Sequence, residues 1–472
     1  MADGSRNLIN PAPKGWAIMA ALGPGIVWAG MAIGGGELAL NPRVGAVWGI
    51  STLWMPIVAI FLKWFMTVEL GRWSLYTGTS IREGFTLLPG PKKWLNWIIL
   101  VAGLYLGAIH IGGLVAMIGI VGNNIIPALS PYAWSVVIMV SFVALSWAGK
   151  YSIIEKTMMV VVGILTATTF LVFVQLWPGL GYILQGFTFQ IPSVTPDWAV
   201  QNFKVSPNPL VEIIPAMAFA GAGAINGLWY SDWILSKGYG TSGGYELGSS
   251  DMSTLDRLKN VSRDDMIGLK DWFKVMLHDS WWGANMLTIL VTAIFVINAC
   301  VVLNPLKLAP GGVAFVLTLS KTFTTVLGEW AMTLYLIGAF AVIYSTMATL
   351  YDGYARLIDN SIKICLPNLK FYHALSNVWR YRVWFLYGTI GNFALVFMFQ
   401  AVPIKFLQAA AWVEGAILLP FVAFSIAYLT YKVLPGLYPE GLRDQVRPNP
   451  IFTWGTVAAG VFYAAFLIYS IV

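Results

Sequence analysis

Two carboxylates stand beside glycine-rich stretches in the middle of long apolar runs. Gly34-Gly35-Gly36 leads directly into Glu37, and Asn226-Gly227 is followed within two turns by Asp232. A carboxylate deep in hydrocarbon costs about 2.5–3.5 kcal/mol, and a glycine costs a helix interior about 1 kcal/mol relative to alanine. Because bare peptide groups are tolerated at that depth only around a cavity, both stretches predict interrupted helices that bind a solute or a proton.

The two stretches and the tryptophans near them define a predicted substrate site. Aromatic faces beside carboxylates can hold an organic cation, although most tryptophans of a membrane protein serve interfaces and packing. The acids have a structural alternative, since a carboxylate stabilises the N-terminus of a half-helix. The predicted substrate-binding residues are Gly34, Gly35, Gly36, Glu37, Ile225, Asn226, Gly227, Trp229, Asp232 and Trp412.

The sequence offers little support for an enzyme. Its three histidines are scattered, and its two cysteines, Cys300 and Cys365, lie in different segments without CxxC spacing. Free thiols are expected, and neither a cysteine zinc site nor a nucleophile–base arrangement is indicated. We expect no cofactor and no metal centre.

The composition places these features in a membrane. Hydrophobic residues make up 58% of the 472-residue chain, charged residues 10%, and the mean hydropathy is +0.72. Lipid is therefore the main solvent, and one membrane transport domain spanning residues 1–472 is predicted. Crossing the hydrocarbon takes about 20 apolar residues. Such spans fall near 17–50, 52–72, 94–126, 132–148, 152–177, 210–237, 280–303, 329–352, 383–402, 404–432 and 450–472.

The positive charges predict the orientation of these spans. With the N-terminus cytoplasmic, 22 of the 28 lysines and arginines fall in inside segments. This bias follows the positive-inside rule and predicts a multi-pass protein of the cell membrane with an outer C-terminus. The net charge of +7 therefore does not indicate a nucleic-acid-binding surface. The polar segment 238–279 is predicted to be a cytoplasmic connector, in part helical, and residues 311–327 an outer helix.

The two glycine-rich stretches lie at corresponding places. They are about 190 residues apart, and each opens a set of five spans, at about 17–177 and about 210–432, with an extra helix at 450–472. Interrupted helices at matching positions of two halves are typical of inverted-repeat secondary transporters. The alternative is that the glycines only allow close helix packing, which would leave Glu37 and Asp232 unexplained.

Five motifs in the expected order resemble the Nramp (natural-resistance-associated macrophage protein) family of the amino acid–polyamine–organocation superfamily. They are Gly23-Pro24-Gly25, Leu75-Tyr76-Thr77-Gly78, the run from Gly149 to Glu155, the run from Tyr344 to Gly353, and Leu419-Pro420-Phe421. The resemblance implies an all-α integral membrane fold of about 11 transmembrane helices. It also implies a five-plus-five inverted repeat of the LeuT-like kind, with discontinuous helices 1 and 6.

The departures from the family fall on its metal site. Where the family has Asp-Pro-Gly-Asn, this chain has Gly34–Glu37, and where the family has Met-Pro-His, it has Ile225-Asn226-Gly227. A second family histidine falls on Asp232, and Trp412 lies near a family glutamine. A thioether favours soft metals, so the chain is expected to keep the scaffold of the family without its soft-metal selectivity.

The coupling ion stays open between Na⁺ and H⁺. Predicted ion-coupling residues are Glu37, His110, Ser345 and Thr346. The resemblance points to proton movement through the third span, where His110 lies, and adjacent hydroxyls in span eight hold Na⁺ in relatives of this fold. His110 is about as often a packing residue. Lys63, Glu69 and Arg72 are expected to form a charge cluster at the inner end, and Glu414 is a buried acid without an obvious partner.

These observations predict an ion-coupled, alternating-access symporter, expected to be a monomer. Its substrate would lie between Gly34–Glu37 and Ala224–Tyr230, and free N–H groups there favour a small organic solute. The first alternative is a hard divalent cation held by oxygen ligands of Glu37, Asp232 and Asn226. An alternative of another class is a channel or a non-transporting sensor.

Overall fold

The computed structural model describes residues 9, 11–18, 22–147, 151–242, 254–399 and 402–471. Over these residues the chain is helical, without strands. We number the α-helices of eight or more residues: α1 Pro24–Ala32, α2 Asn41–Trp48, α3 Trp54–Thr77, α4 Trp94–Ile125, α5 Pro131–Trp147, α6 Tyr151–Gln175, α7 Leu210–Phe219, α8 Ala224–Lys237, α9 Arg263–His278, α10 Leu287–Val302, α11 Phe315–Leu327, α12 Ala331–Cys365, α13 Asn377–Phe399, α14 Pro403–Ala411, α15 Leu418–Tyr428 and α16 Pro450–Ile471.

Membrane-spanning helices dominate the architecture, as the sequence predicts. Among the described residues, seven helical runs are long and apolar enough to cross a bilayer, and shorter apolar helices lie at 131–144, 160–175 and 312–327. The first span is not among the seven because it is divided into α1 and α2. The all-α prediction with two discontinuous helices is confirmed.

Both interrupted helices lie at the centre of the bundle. Residues 31–47 and residues 212–232 are buried without exception. The last helix contrasts with them, because only a third of its apolar window is buried, which is typical of a helix that faces lipid. The centre of the protein is therefore built around the interruptions.

Two helices extend beyond the predicted spans. The connector predicted for 238–279 contains α9, which continues through a π-helical segment, Asp279–Met286, into α10. A capping box between Ser262 and Asp265 starts α9, and its apolar side is buried. Span eight also continues past residue 352 to Cys365, and Arg356 pairs with Asp352 on this extension at 2.9 Å.

The helix at 315–327 is confirmed, and Phe315, Leu319 and Phe323 bury its apolar side. For orientation, the end of the bundle that carries Arg82 and Asp279 is called the inner end. The end that carries Arg43 and Glu212 is called the outer end. The charge distribution predicts that the inner end faces the cytoplasm.

Candidate functional site

The first interruption lies at the predicted glycines. α1 ends at Ala32, and Ile33 leaves the helical region with φ −72° and ψ 81°. The chain then restarts through a π-helical turn, Gly36–Leu40, that leads into α2. A side chain at Gly34 would lie 2.7 Å from the Thr346 hydroxyl, so close packing also requires glycine here. The packing role of the glycines and the interruption are both present.

The second interruption separates α7 from α8. α7 ends at Phe219, and Gly221 adopts φ +73°, a left-handed conformation that favours glycine. Gly223 is extended and α8 begins at Ala224. The two interruptions face each other, because a side chain at Gly36 would meet the backbone of Phe219.

Glu37 joins the two interruptions. Its side chain is fully buried, and its two carboxylate oxygens accept hydrogen bonds from the N–H of Gly34 at 3.3 Å and the N–H of Gly221 at 3.0 Å. A carboxylate at these N–H groups is stabilised as it would be at a helix N-terminus. Glu37 therefore binds the peptide groups that were expected to be free for a substrate.

Lys63 of α3 binds backbone carbonyl groups at the second interruption. Its ammonium donates to the carbonyls of Met217, Ala218 and Ala220 at 3.2, 2.6 and 2.9 Å, at the C-terminal end of α7. A cation at a helix C-terminus is stabilised by the negative end of the helix dipole, and Glu37 lies near enough to Lys63 to interact with it electrostatically. Lys63 does not join the predicted inner-end cluster; that cluster retains the Arg72–Glu69 pair at 3.0 Å.

A closed cavity, the central cavity, lies between the interruptions. The space that the centre of a water molecule can occupy in it measures about 20 Å³, which is enough for about one water. The predicted residues that line it are Gly34, Gly35, Gly36, His110, Asn226 and Thr346. Asn226 Oδ1 and Thr346 Oγ1 are buried and have no hydrogen-bond partner.

A buried polar cluster adjoins this cavity. The Tyr354 hydroxyl donates to Glu414 Oε1 at 2.6 Å and lies 3.2 Å from His110 Nδ1. His110 Nδ1 is itself 3.7 Å from Glu414, and Asn226 is hydrogen-bonded to Tyr354. Glu414 Oε2 has no partner and would meet any side chain at Gly223. Tyr354 was missed by the sequence reasoning, which also left Glu414 without a partner.

The structure separates the other predicted residues from the central cavity. Asp232 binds Arg82 at 2.7 Å and, with Trp229, lines a second cavity nearer the inner end. Ser345 is half-buried and does not contribute to the lining, whereas its neighbour Thr346 does. Three further predicted residues are not part of the lining: Ile225 is buried in the core, Trp412 is half-buried against it, and Gly227 is buried beside open space.

Ionic contacts close the outer end. Arg43 of α2 pairs with Glu212 of α7 at 2.9 Å, and both side chains are buried. Gln408 of α14 donates to the same carboxylate, which also accepts the N–H of Ser206 at 3.2 Å. Three helices are thus tied together above the cavity.

A second carboxylate closes the inner end. Asp279 accepts hydrogen bonds from the N–H groups of Gly23 and Gly25 at 2.9 and 2.6 Å, where α1 begins. The Tyr230 hydroxyl of α8 donates to it at 3.0 Å. Asp279 therefore joins the start of α1 to α8 at the inner end. Among the residues described, no group of three or more His, Cys, Asp or Glu side chains could hold a metal ion.

Known proteins share this sequence pattern and architecture. The chain is 22% identical over 403 residues to the uncharacterized protein PM0681 of Pasteurella multocida, covering 84% of this chain and 82% of the relative. A mutant of the manganese transporter of Eremococcus coleocola has a similar structure, with TM-score 0.67 and 15% identity over 98% of this chain and 88% of its own. Mhp1, a nucleobase-cation-symport-1 family transporter, is similar with TM-score 0.52 and 13% identity, over 98% and 96% of the two chains.

These likenesses show the LeuT-like transporter fold that the resemblance implies. The profile described as "Natural resistance-associated macrophage protein-like" matches residues 25–468. That match covers nearly the whole chain and spans both interruptions. The protein is thus a multi-pass membrane protein with a secondary-transporter fold, and it belongs to the Nramp family.

Proposed function

We propose that this protein is a proton-coupled, alternating-access transporter that moves a small hard metal cation, of the Mg²⁺ or Na⁺ class, through the central cavity. The observation that carries the proposal is a pair of buried, unpartnered oxygens, Asn226 Oδ1 and Thr346 Oγ1, on residues that line a space of about 20 Å³. Buried polar atoms without partners are rare, and hard cations prefer amide, hydroxyl and carbonyl oxygens.

The charges around the cavity favour a cation. Glu37 and Glu414 contribute two carboxylates, and Lys63 contributes one ammonium. Carboxyl groups therefore outnumber amino groups around the cavity by two to one. A positive ion in the cavity would therefore be stabilised by the surrounding field.

The case for an organic solute is weaker in this geometry. It relied on free N–H groups at the interruption, and Glu37 occupies those of Gly34 and Gly221. The small volume of the central cavity also suits one water-sized species better than a solute of several heavy atoms. Soft-metal binding has one supporting feature, because the thioether residue Met31 lines the cavity from α1.

Replacing both cavity oxygens is expected to weaken cation binding at least about tenfold. Asn226→Leu with Thr346→Val keeps the side-chain volumes but removes both ligands, a loss of about 1.4 kcal/mol or more. Calorimetric titration of the purified protein with MgCl₂, NaCl and MnCl₂ measures the effect. Thr389→Val, which removes a hydroxyl on α13, is the matched control and should bind as the native protein does.

Two patterns of ligand preference would overturn the hard-cation proposal. One is binding of amino acids or amines with no binding of any metal cation. The other is MnCl₂ binding that exceeds MgCl₂ binding and is lost in Met31→Leu, which would make the site a soft-metal site. A double variant that binds all three salts like the native protein would show that the cavity holds water only.

Proton coupling is assigned to the cluster of His110, Tyr354 and Glu414. A carboxylate with one unpartnered oxygen, sharing a tyrosine hydroxyl with an imidazole, can exchange a proton between two positions. Lys63 also interacts electrostatically with Glu414, so movement of a proton or cation in the cavity changes the field at this acid. The cluster borders the cavity through Asn226 and Gly223.

Glu414→Gln is expected to remove proton-driven uptake, and it should also weaken equilibrium cation binding because the field at the cavity loses one carboxylate. Uptake of Mg²⁺ into proteoliposomes under a pH gradient, and separately under a Na⁺ gradient, gives the readout. Ser345→Ala is the control and should transport normally, since Ser345 does not line the cavity. Full proton-driven uptake by Glu414→Gln, or sodium-driven uptake abolished by Ser345→Ala, would contradict this assignment.

A further inference from the structure

A second cavity, the inner cavity, lies between α8 and α12. Trp229, Asp232 and Trp233 of α8 form one wall, and Thr349, Asp352 and Arg356 of α12 form the other. Its volume for the centre of a water molecule is about 30 Å³, room for two or three waters. The proposed cation site does not include these residues.

The two walls continue the polar faces that line the central cavity. On α8 the polar positions are Asn226, Trp229 and Asp232, and on α12 they begin at Thr346 and continue through Thr349 to Asp352. Residues three apart lie on the same side of an α-helix, and six residues rise about 9 Å. The inner cavity is therefore the next space along the same two helices, about 9 Å towards the inner end.

Two buried polar atoms in the inner-cavity wall lack partners. Asp232 is 4% exposed; its Oδ2 binds Arg82 at 2.7 Å, but its Oδ1 has no hydrogen-bond partner. The indole N–H of Trp229 is likewise buried and without a partner. A carboxylate oxygen and an N–H donor that both lack partners suit a hydrated cation. Water bound to the cation can donate a hydrogen bond to the carboxylate oxygen and accept one from the N–H.

Asp352 supplies a second carboxylate with access to solvent. Its side chain is 35% exposed, and both its oxygens accept from Arg356 Nε at 2.9–3.0 Å. The Arg356 guanidinium also lies over the ring of Tyr381, at 5.2 Å from the centroid. That cation–π contact gives the guanidinium a position to occupy when a cation displaces it from Asp352.

We propose that the inner cavity is a second cation site, in which a partly hydrated Mg²⁺-like ion is held by Asp232 and Asp352 before release at the inner end. Mg²⁺ usually keeps several waters and binds through one or two carboxylates. The site rests on the proposed function, since it receives the ion that leaves the central cavity. It adds a step in which the ion regains water.

Calorimetric titration with MgCl₂ in four variants tests this proposal. The native protein should bind two ions, and Asn226→Leu with Thr346→Val should retain only the inner ion. Asp352→Asn should retain only the central ion, and Asp232→Asn combined with Arg82→Met, which removes the buried pair without leaving an unpaired charge, should do the same. Asp444→Asn, which neutralises an exposed acid paired with Arg447, is the control and should bind two ions.

The outcomes separate the two proposals. If the Asn226→Leu, Thr346→Val variant loses all binding and Asp352→Asn binds normally, the inner site does not exist. If the Asn226→Leu, Thr346→Val variant binds Mg²⁺ normally and Asp352→Asn loses all binding, the inner site stands and the central-cavity proposal fails. Hydrogen exchange of α12 should be unchanged in Asp352→Asn; a general increase would mean that Asp352 only stabilises the helix, and would also overturn the site.

Discussion

Replacement of Glu37 by glutamine is expected to abolish cation accumulation and to destabilise the protein. The oxygen of the glutamine amide can accept a hydrogen bond from the N–H of either Gly34 or Gly221. Its NH₂ group then faces the other N–H, and two donors cannot bind each other. Lys63 also loses its nearby counter-charge while remaining buried. Leaving a buried charge uncompensated costs about 3–5 kcal/mol. Uptake into proteoliposomes and thermal unfolding in detergent measure the two effects.

A double-mutant cycle distinguishes this account from a general effect of mutation. Lys63→Met alone should be nearly as damaging, whereas Glu37→Gln combined with Lys63→Met should be less destabilised than the sum of the single changes. Glu329→Gln, at an exposed acid, should behave as the native protein. Native uptake by Glu37→Gln would show that the interruptions hold together without the carboxylate, and the central role of Glu37 would be wrong.

Replacement of Glu212 by glutamine is expected to open the outer end. The buried guanidinium of Arg43 then has no counter-charge, and the contacts from Gln408 and Ser206 weaken. If about 3 kcal/mol of closing energy is lost, the ratio of open to closed molecules rises by about two orders of magnitude. Hydrogen exchange followed by mass spectrometry should show faster exchange in α2 and α7, with α8 unchanged.

The inner carboxylate provides a mirror-image variant. Asp279→Asn weakens the bonds to Gly23 and Gly25 and should speed exchange in α1 and α8 while α7 keeps its protection. If the two ends close independently, the helices that exchange faster in Glu212→Gln should differ from those that exchange faster in Asp279→Asn. Equal acceleration at both ends in either variant would indicate global loosening, and no change in either would show that these contacts do not hold the ends closed.

The interruptions were predictable because their causes are local. Three consecutive glycines before Glu37, and the pair Gly221 and Gly223 with one residue between them, are unfavourable in a continuous helix. The partner of Glu37 was not predictable, since Gly221 lies 184 residues away in the chain. The role of Lys63 was hidden for the same reason.

Helix geometry explains the misplaced site residues. Ser345 and Thr346 are adjacent, but neighbours on a helix differ by about 100° in direction, so only Thr346 lines the cavity. Asp232 follows Asn226 by six residues, nearly two turns, which carries it to the inner cavity. Asp279 was read as the end of a polar connector because its partners at Gly23 and Gly25 are more than 250 residues away.

Accessibility of one cavity residue from each side of the membrane tests the central claim. Ala222 lines the central cavity between the two glycines of the second interruption and is 4% exposed. Ala222→Cys, in a protein whose buried Cys300 and Cys365 are replaced by alanine, is treated with a membrane-impermeant thiol reagent on one side at a time.

We expect modification from either side, slowed by Mg²⁺, accelerated from the outside by Glu212→Gln and from the inside by Asp279→Asn. No modification from either side, or modification from both sides that neither gate variant changes, would contradict alternating access at the interruptions.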